Sequence, residues 1–261
     1  MTPSQSHISL PEVRRLEAVS FRSWPAASTR FDGTWAIRLT AGHPAKRLNS
    51  VNPLDPADHD NIDERISRAT RIFDAFGRPL VFRQSPLAPA ELENRLDARG
   101  WMRFDETIVM LRDLDGTVPP RDLTSAPVGN VGRWLDQCMA MGAFAPDVKP
   151  GLSELIDRVH GEVALFLGDV REGEARCAAM MVRFGDLAGL FEVVTHPDHR
   201  RKGLAKRLVN NAMAWAKSKG SKRAWLQVVA DNESAVKLYE ETGFTEAYRY
   251  AYRRPPEAHN G

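Results

Sequence analysis

Cysteine is scarce: the 261-residue chain has two, Cys138 and Cys177, far apart and without ligand spacing around either. A disulfide framework or a zinc site needs more than that, so no metal is expected and a reducing, cytoplasmic setting is implied. Each cysteine reads as a small buried hydrophobe. Long apolar runs are lacking as well. No stretch approaches the roughly eighteen residues that span a bilayer, and Met1–Leu10 has neither the charged start nor the apolar stretch of a signal peptide. No membrane partner is expected. An excess of one charge is also missing, with 36 Lys and Arg against 34 Asp and Glu, a net +2. A protein that grips phosphate backbones carries a larger, clustered surplus, so no nucleic-acid partner is expected either. What is present is ordinary for a globular chain, 43% hydrophobic and 27% charged, with length for two modest domains or one large one.

The sharpest interruption is Asp113–Asp122, where a Gly and two Pro break any regular structure, and it divides the chain into 1–116 and 117–261. In the second part the pattern predicts a helix over Val128–Met139, a Pro- and Gly-rich loop over Ala143–Gly151 and a short helix over Leu152–His160. Strands follow at Val163–Val170 and Ala175–Phe184, joined by a hairpin turn at Arg171–Glu174, and a third at Leu187–Thr195. A polar turn, His196–Lys202, leads into a helix whose Leu204, Leu208, Ala212, Trp215 and Ala216 recur at three- and four-residue steps, with Gly220 as its cap. Arg223–Val229 is strand-like, Asp231–Asn232 can cap a helix that Gly243 ends, and Thr245–Arg253 is a closing strand with alternating tyrosines.

The first part repeats this order. Laid on the second without gaps, Gly42 falls on Gly185, Val51 on Val194, Gly77 on Gly220, Gln84 on Gln227 and Gly100–Trp101 on Gly243–Phe244. Asp60–Phe76 matches the long helix and Pro79–Gln84 the strand after it. Identity is low, but the succession of elements agrees throughout, and a tandem duplication is the reading.

The chemistry concentrates in Arg200-Arg201-Lys202-Gly203-Leu204-Ala205, after a strand and at a helix start. A helix start presents unpaired N–H groups and a partial positive charge. Gly203 lets backbone approach an anion, Ala205 keeps the first turn uncluttered, and three cations add to the field. Taken alone, the same turn reads equally well as a solvated basic cap.

It does not stand alone. Val193–Ala205, with Arg200, Gly203 and Ala205 at the defining positions, resembles the acetyl-CoA motif of the GNAT superfamily. The resemblance implies that the backbone of Val193, Val194 and Thr195 pairs with the pantetheine arm. It also implies that the amides of Arg200, Arg201, Lys202, Gly203, Leu204 and Ala205 hold the pyrophosphate. Thr195 departs from the apolar β-branched residue more usual there. Asn232–Phe244 resembles the family's second signature, in which the Asn contacts pantetheine and the Tyr hydroxyl, here Tyr239, sits near the cofactor sulfur. Seven residues, about two turns, point Asn232 and Tyr239 the same way. The plainer alternative is that Asn232 caps the helix and Tyr239 packs in the core.

The implied reaction is direct attack of an amine on the thioester in a ternary complex, moving an acetyl group from acetyl-CoA. Tyr239, a phenol of pKa about 10, suits protonation of the departing thiolate. Glu192 stands where some family members place a carboxylate that acts through water; a solvent-facing carboxylate is the alternative, and strict alternation, which puts Glu192 and Val194 on one face, favours neither. His196 and His199 read as solvated. In the first part Ala57 replaces Arg200, Asp60 replaces Gly203, Pro89 replaces Asn232 and Leu96 replaces Tyr239, so that part keeps the scaffold without the cofactor motif.

The expected architecture is α/β (α+β): two GNAT-like domains, each a mixed, mainly antiparallel sheet flanked by helices. The rival reading is a CoA-binding regulatory protein without turnover, against which Tyr239 argues. The acceptor, a small-molecule amine or a protein amine, and the oligomeric state stay open. Lys46–Ser50 either contacts the acceptor or ends a strand in solvent, and Ala143–Gly151 is the expected lid.

Overall fold

The computed structural model describes residues 8–116 and 127–256. In chain order the elements are α1 (Leu10–Ser23), β1 (Ser28–Asp32), β2 (Trp35–Leu39), β3 (Ser50–Pro53), α2 (Ile62–Ala75), β4 (Phe82–Gln84), α3 (Ala90–Ala98) and β5 (Met102–Asp113). They continue as β6 (Pro127–Val128), α4 (Val131–Ala140), α5 (Lys149–Asp157), β7 (Glu162–Gly168), β8 (Cys177–Phe184), β9 (Leu187–Thr195), α6 (Leu204–Ser218), β10 (Arg223–Val229), α7 (Glu233–Glu241) and β11 (Thr245–Arg254). The expected boundary segment beyond Gly116 lies outside the described residues up to Pro127.

All strands join one 11-stranded sheet, ordered β1-β2-β3-β4-β11-β5-β10-β9-β8-β7-β6. One continuous sheet replaces the expected separate sheet in each half. The last strand of each half is exchanged: β5 pairs with β10, and β11 pairs with both β4 and β5. The physical reason is that β5 and β11 are the long strands, 12 and 10 residues. Side by side at the middle of one sheet, they leave no long edge exposed to solvent. Read outward from the β11–β5 pair, the order is mirrored, β4 with β10, β3 with β9, β2 with β8 and β1 with β7.

Helices cover both faces. α2 and α3 bury Ile66, Phe73, Leu92 and Leu96 on one end of one face, and α6 and α7 bury Leu208, Met213, Trp215 and Tyr239 on the other end. The opposite face carries a single shared core, in which Val13, Leu16 and Trp24 of the first half pack with Trp134, Leu155 and Trp225 of the second. α1 lies over β8 and β9, strands of the other half.

α1 is absent from the sequence pattern because its buried stripe includes Glu17, Ser20 and Ser23. Glu17 is satisfied in place. It accepts from Arg83 Nη1 at 2.5 Å and Nη2 at 3.0 Å, and from the Tyr248 hydroxyl at 2.6 Å. Arg83 also stacks on the Tyr250 ring at 3.6 Å. A buried, bidentate, fully bonded pair of this kind is costly to break from one side, so it ties α1 to β4 and β11.

Candidate active site

The site begins where the sheet opens. β9 and β10 run parallel and pair only from Leu187–Leu190 against Arg223–Leu226. Beyond Leu190 β9 has lost that neighbour, and a bulge turns it. Ala178 faces Val194 and Met180 faces Phe191, so Glu192 and Val193 together oppose Ala179. Glu192 takes φ 49°, an unusual left-handed value for a residue that is not glycine. The bulge replaces the strict alternation on which Glu192 and Val194 would share a face.

The gap is a cavity of about 680 Å³. Val193, Val194 and Thr195 form one wall. Arg200, Arg201, Gly203, Leu204 and Ala205 form its end, with His199 beside them, and Asn232 and Tyr239 stand on the α7 side. Gly203 is the N-cap of α6 at φ 75°, and a side chain built there would meet nothing within 4 Å, so the approach to the helix start is open. The amides of the first turn have no acceptor within the helix and lie at the cavity beside two arginines.

Two residues named from the sequence do not line this cavity. Lys202 turns back, its Nζ donating to the Asp198 carbonyl at 2.9 Å. Glu192 lies beyond the end of the wall, held by Arg47, whose Nη2 donates to Glu192 Oε1 at 2.7 Å. Asn232 does cap α7, its Oδ1 accepting from the Ala235 amide at 3.2 Å, and it lines the cavity as well. Tyr239 is 8% exposed. Burial, with the Glu192 charge adding to it, pushes its phenol up to about 12.

Of the first half's share of this region, the sequence offers only the polar stretch Lys46–Ser50 as a candidate acceptor contact. Arg47 stacks over the Trp24 indole at 3.9 Å, and Trp24 stacks on Phe191, centroids 5.3 Å apart. Arg38 fixes both from behind, donating to the Arg47 carbonyl at 2.7 Å and the Trp24 carbonyl at 2.5 Å. His43 packs edge-on to Trp24, and burial, then the Arg47 charge, hold its imidazole below its ordinary value. Its Nδ1 accepts from the Ala45 amide at 3.2 Å, so the neutral ring carries its proton on Nε2 and can donate there but not accept. Arg47 lies in the polar stretch Lys46–Ser50, and that was the available signal; nothing local distinguishes Trp24.

The expected lid is partly pinned. Pro146–Val148 is a single 3₁₀ turn and α5 starts at Lys149. Gly151 lies so close to Gly42 of the first half that a Cβ there would overlap the Gly42 carbonyl. Both cysteines are buried free thiols. Among the described residues no helix is long and apolar enough to cross a membrane.

Comparison with known proteins fits this geometry. The family profile described as "Probable histone acetyltransferase Rv0428c C-terminal" matches residues 11–253. The "Uncharacterized N-acetyltransferase YobR" of Bacillus subtilis is 26% identical over 252 residues, which cover 94% of this chain and 99% of that protein. A "[Ribosomal protein bS18]-alanine N-acetyltransferase" of Escherichia coli is 39% identical over 62 residues, 24% of this chain and 42% of its own length. Among solved structures, a GCN5-related N-acetyltransferase from Kribbella flavida superposes with a TM-score of 0.72 at 18% identity, over 95% of this chain and 96% of its own. A tandem GNAT protein from the clavulanic acid biosynthesis pathway does so with a TM-score of 0.61 at 14% identity, over 95% and 89%. At these identities the structures speak for the fold. The chain belongs to the family of probable histone acetyltransferase Rv0428c C-terminal regions and is an acyltransferase of the GNAT type.

Proposed function

We propose that the chain binds acetyl-CoA in the gap beside β9 and transfers the acetyl group to a primary amine. The observation that carries this reading is the single cavity that gathers the β9 end, the open Gly203 helix start, Asn232 and Tyr239. The residues suit the ligand. Val193–Thr195 offer strand backbone without a neighbour on that side, which matches the amides of a pantetheine arm. The α6 start, with Arg200 and Arg201, suits a pyrophosphate. Acetyl-CoA supplies a thioester whose carbonyl an amine can attack and whose sulfur leaves as a thiolate.

In this reading the protein's residues handle the protons. Tyr239 Oη–H donates to the departing sulfur. With its phenol near 12 and an ordinary thiol near 8.5, complete transfer is uphill by about 5 kcal/mol. Burial of the thiolate raises its own basicity and narrows the gap. Tyr239 therefore acts chiefly as a hydrogen-bond donor that moves its proton late. Glu192 takes the proton of the incoming ammonium, directly or through water; His43 cannot, because its only lone pair is already used by Ala45. The amine must be neutral to attack, and a carboxylate beside it favours capture of the ammonium first.

The mirrored strand order supports descent of the two halves from one duplicated unit. The helix starts refine the correspondence: the left-handed N-cap that Gly203 provides for α6 is provided for α2 by Asn61, at φ 51°, and not by its neighbour Asp60. We assign cofactor binding to the second half and a supporting role to the first.

The test is calorimetric titration of acetyl-CoA into the wild type and Gly203→Asp. One saturable site per chain, weakened about a hundredfold or more in the variant, is expected, since a carboxylate at the helix start opposes the pyrophosphate. No binding to the wild type would overturn the reading.

A further inference from the structure

The wall beside Glu192 is built by the first half, and its charges are arranged in opposition. Arg47 Nη2 holds Glu192 Oε1 at 2.7 Å, with the two side chains 28% and 23% exposed. This is a partly exposed ion pair just outside the lining of the cavity. It is monodentate. Among the described residues, Nε and Nη1 of Arg47 make no hydrogen bond, although a guanidinium offers five N–H donors in a rigid fork. The fork is held in place: its central carbon sits over the Trp24 ring at 3.9 Å, and Arg38 grips the backbone carbonyls of both residues. Further cationic charge stands behind it. Arg78 donates to the Ala41 carbonyl at 2.8 Å and, more weakly, to that of His43.

An acceptor ammonium brought to Glu192 therefore lies next to spare guanidinium donors. A second cationic group on the acceptor, as in a polyamine, would meet Arg47 and be repelled. An anionic group one or two bonds from the amine would meet the open side of the fork, and the bidentate match of guanidinium with carboxylate is strong and directional. Resting on the acetyl-transfer reading above, we infer that Arg47 is the specificity-determining residue of the acceptor site and that the acceptor is a zwitterionic free amino acid, its amine on Glu192 and its carboxylate on Arg47. The first half thus supplies the part of the site that distinguishes a free amino acid from an amine whose neighbouring carboxylate is blocked.

The test compares the twenty amino acids with their α-carboxamides, by calorimetric binding to the CoA-loaded chain and by acetyl transfer. At least one amino acid is expected to bind, and to react by kcat/KM, about tenfold or more better than its carboxamide. In Arg47→Gln that ratio falls to within about threefold of unity, while the acetyl-CoA Kd and the melting temperature stay near those of the wild type; Arg47→Lys, with the charge but not the fork, falls between. Carboxamides that bind as well as the acids, a ratio unchanged in Arg47→Gln, or no binding by any of the twenty would each overturn the inference. Transfer to carboxamides without preference would sink it and leave the acetyltransferase reading standing. Selective binding of amino acids without any acetylated product would sink the acetyltransferase reading and, with it, the assignment of the amino acid as acceptor.

Discussion

The two helix-start turns of this molecule share a backbone and differ in what fills them. In the second half α6 begins at Gly203 with open space around its Cβ position and with Arg200 and Arg201 lining the same cavity. In the first half α2 begins at Asn61 in the same left-handed conformation, but the turn carries its own anion. The Asp58 carboxylate accepts from the Thr34 amide at 2.7 Å and hydroxyl at 2.6 Å, and from Arg65 Nη1 and Nη2 at 2.8 and 2.9 Å. Arg65, 4% exposed, in turn stacks on Trp35 at 4.0 Å. The same helical geometry is thus left open beside arginines in one half and filled for internal cohesion in the other. A few residues before a helix decide which. A cavity must be left empty and cationic to bind, while a filled one gains stability.

The largest effect is expected where the halves differ most in chemistry, at Tyr239, whose counterpart is Leu96. Tyr239→Phe should lower kcat by about a hundredfold or more while the acetyl-CoA Kd from titration barely moves. Next comes the filled turn. Asp58→Ala leaves the buried Arg65 short of its main partner and should cost about 2–3 kcal/mol in urea unfolding, with acetyl-CoA affinity unchanged. Arg65, and then Thr34, hold the Asp58 carboxyl below the usual carboxylate range. Its folded pKa being the lower one, this contribution is complete above about pH 4 and is lost as the pH falls through the folded value, so the variant's deficit should shrink only in strong acid. Loss of affinity in Asp58→Ala would break the division of labour. On the open turn, Arg200→Ala should weaken acetyl-CoA by about three- to tenfold, with a shallower salt dependence. The smallest effect concerns pH. With its phenol pushed up to about 12, Tyr239 stays protonated until the pH approaches that value. The kcat profile should then show no descending limb from Tyr239 below about pH 11.

Much of the second half was legible because its signals are local. The apolar steps of α6, the Phe- and Val-rich β9 and the Asn232 cap each need only a few neighbouring residues to be recognised. The observed β9 and β10, Leu187–Thr195 and Arg223–Val229, agree with the pattern residue for residue. The strand exchange was not legible, since β5 and β11 alternate in the same way whichever neighbour they pair with. α1 was hidden by its buried Glu17, which reads as solvent-facing until Arg83 and Tyr248 are found around it. Within the candidate site, the anion turn and the α7 pair announce themselves by residue type and spacing. Glu192 is legible only as a carboxylate near the end of a strand. Its bulge forms against β8 and its tie to Arg47 spans 145 positions; both arise from folding alone.

The central claim is that one half holds the cofactor and the other does not. A crystal structure of the chain grown with CoA tests it most directly. Density for one CoA per chain is expected, its pyrophosphate against the amides of Arg200–Ala205 and its pantetheine along Val193–Thr195. CoA bound at the Asp58–Ile62 turn of the first half, alone or in addition, would contradict it.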